Sequence, residues 1–172
     1  MRKTNIRPWT KEWAEQYTQD AQRLKEIFKE EVIDIFHIGS TSVPAIGYAK
    51  PIIDILIVVK EIEKVDQYNK KMEEIGYDAR GENGISGRRY FLRGKDNRTH
   101  HVHIFQTGHE HIKLHLAFKN YFLQHPEMAK RYGDLKVALA AQFPEEHERY
   151  QQGKQSFVNE VVQKLKKNGE LI

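Results

Sequence analysis

The stretch that most constrains this chain is Pro51-Ile52-Ile53-Asp54-Ile55-Leu56-Ile57-Val58-Val59, apolar after the proline at every position but Asp54. It is far shorter than the roughly 20 residues a membrane helix needs. Its β-branched content and lack of alternation mark a strand covered on both faces. Such a strand needs strand neighbours and helices packed against the sheet, so the fold class it implies is α/β (α+β). A carboxylate in such a strand is costly unless it is hydrogen-bonded, ion-paired or metal-bound. Asp54 is therefore either a cation ligand or a structural acceptor at a strand end.

The remaining elements follow from periodicity and punctuation. Trp9, Trp13, Tyr17, Leu24, Ile27 and Phe28 recur at helical spacing after Pro8, predicting a helix over about 10–30. Residues 32–38 read as a strand, broken by Gly39-Ser40-Thr41-Ser42. A helix over 61–74 ends at Gly76, and strands follow near 77–80, 88–93 and 101–106, separated by turn-rich stretches. From Glu110 the pattern is helical, with Leu114, Phe118, Tyr121 and Phe122 on one stripe. Pro126 opens a helix to about Gln142, and a last helix runs over about 145–167. No repeat or linker divides the chain, so one domain over residues 1–172 is expected: a mixed sheet flanked by helices, then a helical C-terminal third.

Composition narrows the function. With no cysteine among 172 residues, a disulfide framework, a thiolate nucleophile and a cysteine-ligated metal are excluded. That fits a cytoplasmic protein, and Met1-Arg2-Lys3-Thr4 leads into a polar helix pattern rather than a signal peptide. The net charge of +4 is mild, but between Arg80 and Lys119 eight Lys or Arg face three Asp or Glu. A basic stretch of this kind is either an ordinary solvated surface or a face for an anionic ligand. Aromatic and basic residues are not interleaved there as in an RNA-binding motif, so nucleic acid is not the expected partner.

The segment richest in chemistry is His37-Ile38-Gly39-Ser40-Thr41-Ser42 followed by Lys50-Pro51-Ile52-Ile53-Asp54. Strand, Gly-Ser turn, short helix and a strand with an aspartate resemble the signature of nucleotidyltransferases. In that family the turn brings backbone N–H groups and a hydroxyl to a triphosphate, and strand carboxylates hold a divalent metal. The longer string from His37 to Ile55 resembles the GrpB family, as do Arg98-Thr99-His100-His101-Val102-His103, His125-Pro126, Tyr132, Leu135-Lys136 and Tyr150 to Lys154. The resemblance covers nearly the whole chain. It implies a nucleotidyltransferase-like fold and a nucleotide or small phosphorylated molecule as partner. On that reading Gly39, Ser40, Thr41 and Lys50 meet phosphate in the cleft that Asp54 faces.

The site departs from the transferase pattern. A second carboxylate is usual two residues after the first, on the same strand face, and here that residue is Leu56. On the strand His101-Val102-His103-Ile104-Phe105, alternation puts His101 and His103, not His100, on one face. Asp54 with His101 and His103 is a poor Mg²⁺ cage and suits Mn²⁺ or Zn²⁺ better. The imidazoles could equally bind phosphate, act as a general base, or hydrogen-bond across the sheet. Arg89 and Arg93 share a face and could clamp phosphate; Tyr150 and Lys154 share a helix face and could meet a base and a triphosphate. Two functions stand: transfer of a nucleotidyl group to a small acceptor with a divalent metal (Mg²⁺ or Mn²⁺, or else Zn²⁺), and a non-catalytic ligand- or metal-binding module on the same fold.

Overall fold

A computed structural model describes residues 4–171; Met1-Arg2-Lys3, part of the polar lead-in read above, lie outside the described residues. The elements in chain order are β1 (Arg7–Pro8), α1 (Lys11–Phe28), β2 (Val32–Ile38), β3 (Tyr48–Ala49), β4 (Ile53–Val59), α2 (Asn69–Glu74), β5 (Tyr77–Ala79), β6 (Arg88–Arg93), β7 (His100–Gln106), α3 (Glu110–Gln124), α4 (Pro126–Gln142) and α5 (His147–Lys167). The chain divides into two compact units interleaved in sequence. A sheet unit comprises Lys11–Ile38 and Ile52–Ile112; a helical unit comprises the stretch up to Thr10, Gly39–Pro51 and the chain from Lys113 onward.

The sheet unit holds five strands in the order β2-β4-β7-β6-β5. Only β4 and β7 are parallel; the other pairs are antiparallel. The apolar run of β4 therefore lies between two strands, as its composition requires, with Ile53, Ile55, Leu56, Ile57 and Val59 almost wholly buried. On one face Ile53, Ile55 and Ile57 align with His100, Val102 and Ile104 of β7. Helix α1 packs on β2 and β4 and buries Trp13, Ala21, Leu24 and Phe28, spaced as one helical stripe. Burying a Leu or Phe side chain of this kind contributes about 1.5–3 kcal/mol before the entropy of ordering it.

Two details differ from the sequence reading. Residues 62–68 are a 3₁₀ stretch that becomes α-helical only at Asn69. Just before α1, Arg7–Pro8 pairs with Tyr48–Ala49 as a two-residue ladder that the sequence reading did not contain. There Trp9 donates from its backbone N–H to Gly47 O (2.8 Å) and from its indole to Thr41 O (2.9 Å).

In the helical unit, Val43, Ile46, Tyr121, Phe122, Met128, Tyr132, Phe157, Val161 and Leu165 form one core, with Leu114 and Phe118 packed against it. The rings of Phe122, Tyr132 and Phe157 stack nearly parallel, 5.3 Å and 5.1 Å between successive centroids. No helix among the described residues is long and apolar enough to cross a membrane.

Gly133 of α4 sits where a Cβ would fall on the backbone carbonyl of Ile46. Alanine is favoured over glycine by about 1 kcal/mol inside a helix. Gly133→Ala is nevertheless expected to destabilise the protein by about 1–3 kcal/mol, because a backbone atom cannot give way as a side chain can. Urea unfolding measures it, and an unchanged or raised midpoint would refute the close approach.

Candidate functional site

Because β4 and β7 run parallel in register, the second residue of each strand lies beside that of the other: Asp54 pairs with His101, and Leu56 with His103. Side-chain alternation then puts Asp54, His101 and His103 on one face. The His101 Nδ1 is 3.3 Å and the His103 Nε2 3.6 Å from the same carboxylate oxygen, Asp54 Oδ1. His100 points the other way: it is buried, bonded through Nε2 to Asp20 of α1, and shares a hydrogen bond between Nδ1 and the Thr99 hydroxyl, 2.8 Å away.

A fourth residue completes the cluster. The buried Arg88 guanidinium donates to Glu82 O (3.1 Å), to Asn83 O (2.7 Å) and to His103 Nδ1 (3.4 Å), and lies 4.8 Å from the Tyr90 ring centroid. Arginine can only donate, so His103 Nδ1 accepts and its proton sits on Nε2, toward Asp54. Tyr90, the cross-strand partner of His103, sets its ring 5.3 Å from that imidazole and 5.8 Å from His101. Residues 88 and 90 alternate in step with His103, the one sequence signal that could have singled them out.

The Asp54 side chain is 25% exposed. Burial raises its pKa, but hydrogen bonds from His101 and His103 outweigh that and hold the carboxyl far below the usual carboxylate range. The result is a carboxylate fixed in its ionised form. His101 Nε2 is buried and has no hydrogen-bond partner. Among the described residues no three His, Cys, Asp or Glu side chains are arranged to hold a metal ion. As they stand, both imidazoles aim at Asp54 itself rather than at a shared position, so the expected trio fits a hydrogen-bonded carboxylate better than a cage. Leu56, where a second carboxylate would stand, is fully buried.

The other expected residues lie elsewhere. Arg89 and Arg93 do share a face of β6, but it is the face opposite Asp54. Arg89 forms a two-pronged pair with Asp66 at 2.7 and 3.2 Å, so its charge is already met. Gly39, Ser40, Thr41, Lys50, Tyr150 and Lys154 belong to the helical unit. Gly39 follows Ile38, the register partner of Asp54, in the chain. Its φ of 73° with ψ of −176° is open only to glycine, and Ser42 Oγ donates back to Gly39 O at 2.6 Å. Lys50 Nζ and Lys154 Nζ lie 5.3 and 5.2 Å from the Tyr150 ring centroid, and Lys136 Nζ 4.6 Å from that of Tyr132. The Tyr150 side chain is completely buried and its hydroxyl lacks a hydrogen-bond partner, so burial, and next Tyr132, push its pKa up. A buried ring offers no face to a nucleobase, so Tyr150 is a platform for lysines rather than the stacking surface expected.

A family model described as GrpB protein matches residues 3–164. The chain belongs to the GrpB family. It is 46% identical over 166 residues to UPF0157 protein YqkA of Bacillus subtilis, covering 96% of this chain and 48% of that protein. The chain thus spans about half the length of that relative. The glutamate-rich protein GrpB of Alkalihalophilus pseudofirmus is 30% identical over 158 residues, covering 89% of this chain and 90% of the relative. The crystal structure of the conserved protein GrpB from Enterococcus faecalis superposes with a TM-score of 0.89 at 45% identity, over 95% of this chain and 99% of that one. A structure of Cid1, an RNA terminal uridylyl transferase, superposes with a TM-score of 0.53 at 13% identity, over 80% of this chain and 43% of that one. That likeness gives this GrpB-family chain a nucleotidyltransferase-like α+β fold and says nothing of its chemistry.

The depressed pKa of Asp54 has a direct consequence for acid stability. Its ionised form contributes fully above the ordinary carboxyl pKa of about 4, and the contribution is lost as pH falls through the lower folded value. Asp54→Asn removes it. The stability gap between wild type and variant is therefore expected to be constant near neutrality and to shrink progressively below about pH 4. Urea midpoints of both proteins across that range check it; a gap that widens on acidification would contradict the sign.

Proposed function

We propose that this chain binds a nucleotide or another small phosphorylated molecule, and that it does so without two-metal transfer chemistry. The observation that carries the reading is the lysine set of the helical unit. Lys50 and Lys154 gather their ammonium groups about Tyr150, and Lys136, only 2% exposed, lies beside Tyr132. Two cations over one buried ring and a third over the ring of Tyr132 favour a compact, multiply charged anion. The Gly39-Ser40-Thr41 turn, where only glycine suits the backbone, is proposed to lend N–H groups and a hydroxyl to phosphate. Nucleotides as the ligand class draw further support from Cid1 structures described as a complex with the UTP analogue UMPNPP and as bound to MgATP.

The binding reading is favoured over transfer by Leu56, fully buried where a second metal carboxylate would stand, and by Asp54 Oδ1 facing two imidazoles. One observation favours the transferase reading: Asp54 stays ionised and partly open, as a ligand for Mg²⁺, Mn²⁺ or Zn²⁺ would need to be. In that reading Asp54 holds the cation, and His101, whose buried Nε2 has no partner, takes or gives a proton.

Calorimetric titration with the four ribonucleoside triphosphates separates these outcomes. Saturable binding is expected, with Lys50→Gln and Lys154→Gln each raising the Kd by about tenfold, the loss of one charge-assisted contact. No pyrophosphate release is expected with Mg²⁺ or Mn²⁺ present. Release that disappears in Asp54→Asn would establish transfer instead. Absence of any binding, or binding indifferent to both lysine variants, would overturn the lysine site.

A further inference from the structure

We propose that the sheet unit carries a second ligand site, for a small oxyanion such as a phosphate monoester or a carboxylate, on the face opposite Asp54. The site is a cleft of about 620 Å³ lined by Gln16, Arg93, Lys95, Asn97, Thr99 and His100, with Gly76 and Gly94 in its wall. Arg93 ends β6 and is the register partner of His100, which begins β7, so one end of this strand pair presents both.

The charge of this cleft is one-sided. Its lining holds two cations and no carboxylate. An adjacent cleft of about 510 Å³ shares Lys95, and there Arg80, Lys95 and Arg98 meet Glu73, Asp78 and Asp96, so Arg93 is the cation that belongs to the first cleft alone. Arg89, two turns of the pleat from Arg93 on the same face, has its carboxylate in Asp66. Among the described residues no carboxylate pairs with Arg93, whose guanidinium lies 5.9 Å from the Tyr77 ring centroid. A half-buried guanidinium seated on an aromatic ring, with no carboxylate partner among the described residues, is a recognition element for a planar or tetrahedral oxyanion. Asp20 of α1 is held by Nε2 of the lining residue His100, which turns its charge toward the imidazole.

The walls are built to keep this opening. A Cβ on Gly76 would stand 3.2 Å from Arg93 Nε, so glycine there leaves the guanidinium its place. The turn after Arg93 is closed by Asn97 N–H donating to Gly94 O (2.8 Å) and Thr99 N–H to Arg93 O (2.9 Å). Gly94 has φ +98°, and a Cβ there would fall on the Asn97 carbonyl. Lys95 itself adopts φ +51°, a left-handed conformation uncommon for a non-glycine residue. Asn97, Thr99 and Gln16 add neutral polar groups around the two cations.

The site is tested on the full chain by residue-resolved amide NMR during titration with inorganic phosphate and, separately, with acetate. Saturable shifts confined to amides from Gly94 to His100 are expected with at least one of the two. Stronger binding of phosphate assigns a phosphoryl ligand, and stronger binding of acetate a carboxylate. Arg93→Gln is expected to raise the Kd by about tenfold and Arg93→Lys by less, since lysine keeps charge without the fork. Lys95→Gln, on an exposed turn, supplies the second variant should Arg93→Gln fold poorly. Asp54→Asn and Lys50→Gln should leave these shifts unchanged, so the outcome is independent of the nucleotide reading. No saturable change in the 94–100 amides with either anion, or the same Kd in wild type, Arg93→Gln and Lys95→Gln, would overturn the proposal.

Discussion

The parallel pairing of β4 with β7 is the constraint on which the sheet unit depends. A parallel pair cannot be joined by a tight turn, so the chain between Val59 and His100 must leave the sheet and return. It uses that passage to make the 3₁₀ stretch, α2, and the hairpin partners β5 and β6, which then extend the sheet beyond β7. The same pairing sets the starts of two strands side by side. Asp54 thereby acquires His101 and His103 as neighbours, and an otherwise costly carboxylate in an apolar strand is held by charge-assisted contacts.

Alternation then separates the polar groups of the sheet into two sets with different tasks. On one face, Asp54, His101, His103, Tyr90 and Arg88 form a single network, with Arg88 fixing the tautomer of His103 and His103 facing Asp54. On the other face, His100 is tied to Asp20 and Arg89 to Asp66, while Arg93 has no carboxylate partner among the described residues. Adjacent residues of one short sequence, His100 and His101 or Arg88 and Arg89, thus serve opposite sides of the sheet. A one-residue slip of β7 would exchange the two sets, so the register carries the chemistry as much as the residue types do.

The strands and long helices were legible because their signals are periodic or continuous: the apolar run of β4, the stripe of α1, the alternation of β7. The 3₁₀ geometry over 62–68 and the two-residue ladder β1–β3 were not, since segments so short have no period to read. Alternation also placed His101 and His103 beside Asp54 and His100 away from it. It did not supply partners. Asp66, which engages Arg89, lies 23 residues earlier, and Asp20, which engages His100, lies 80 residues earlier in a helix. Tyr150 shows the same limit from another side: its spacing to Lys154 marked a shared helix face, but nothing in that spacing said the ring would be entirely buried.

A shared fold transmits a scaffold rather than a reaction, and residue 56 shows where the two part. In β4 the backbone sets Asp54 and Leu56 on one face, as the transferase pattern requires, so the geometry for two carboxylates is present. The second position is nevertheless a leucine with no solvent exposure, packed in a strand whose next three residues are also buried. A carboxylate at that depth is tolerated only when a cation compensates it, and the surrounding polar groups provide imidazoles instead. The imidazoles themselves are directed at the one carboxylate present, which absorbs the donors that a metal site would need as ligands. Substituting residue 56 alone would therefore not recover a two-metal centre. His101 and His103 would also have to release Asp54, and Arg88, which holds His103 from behind, opposes that release.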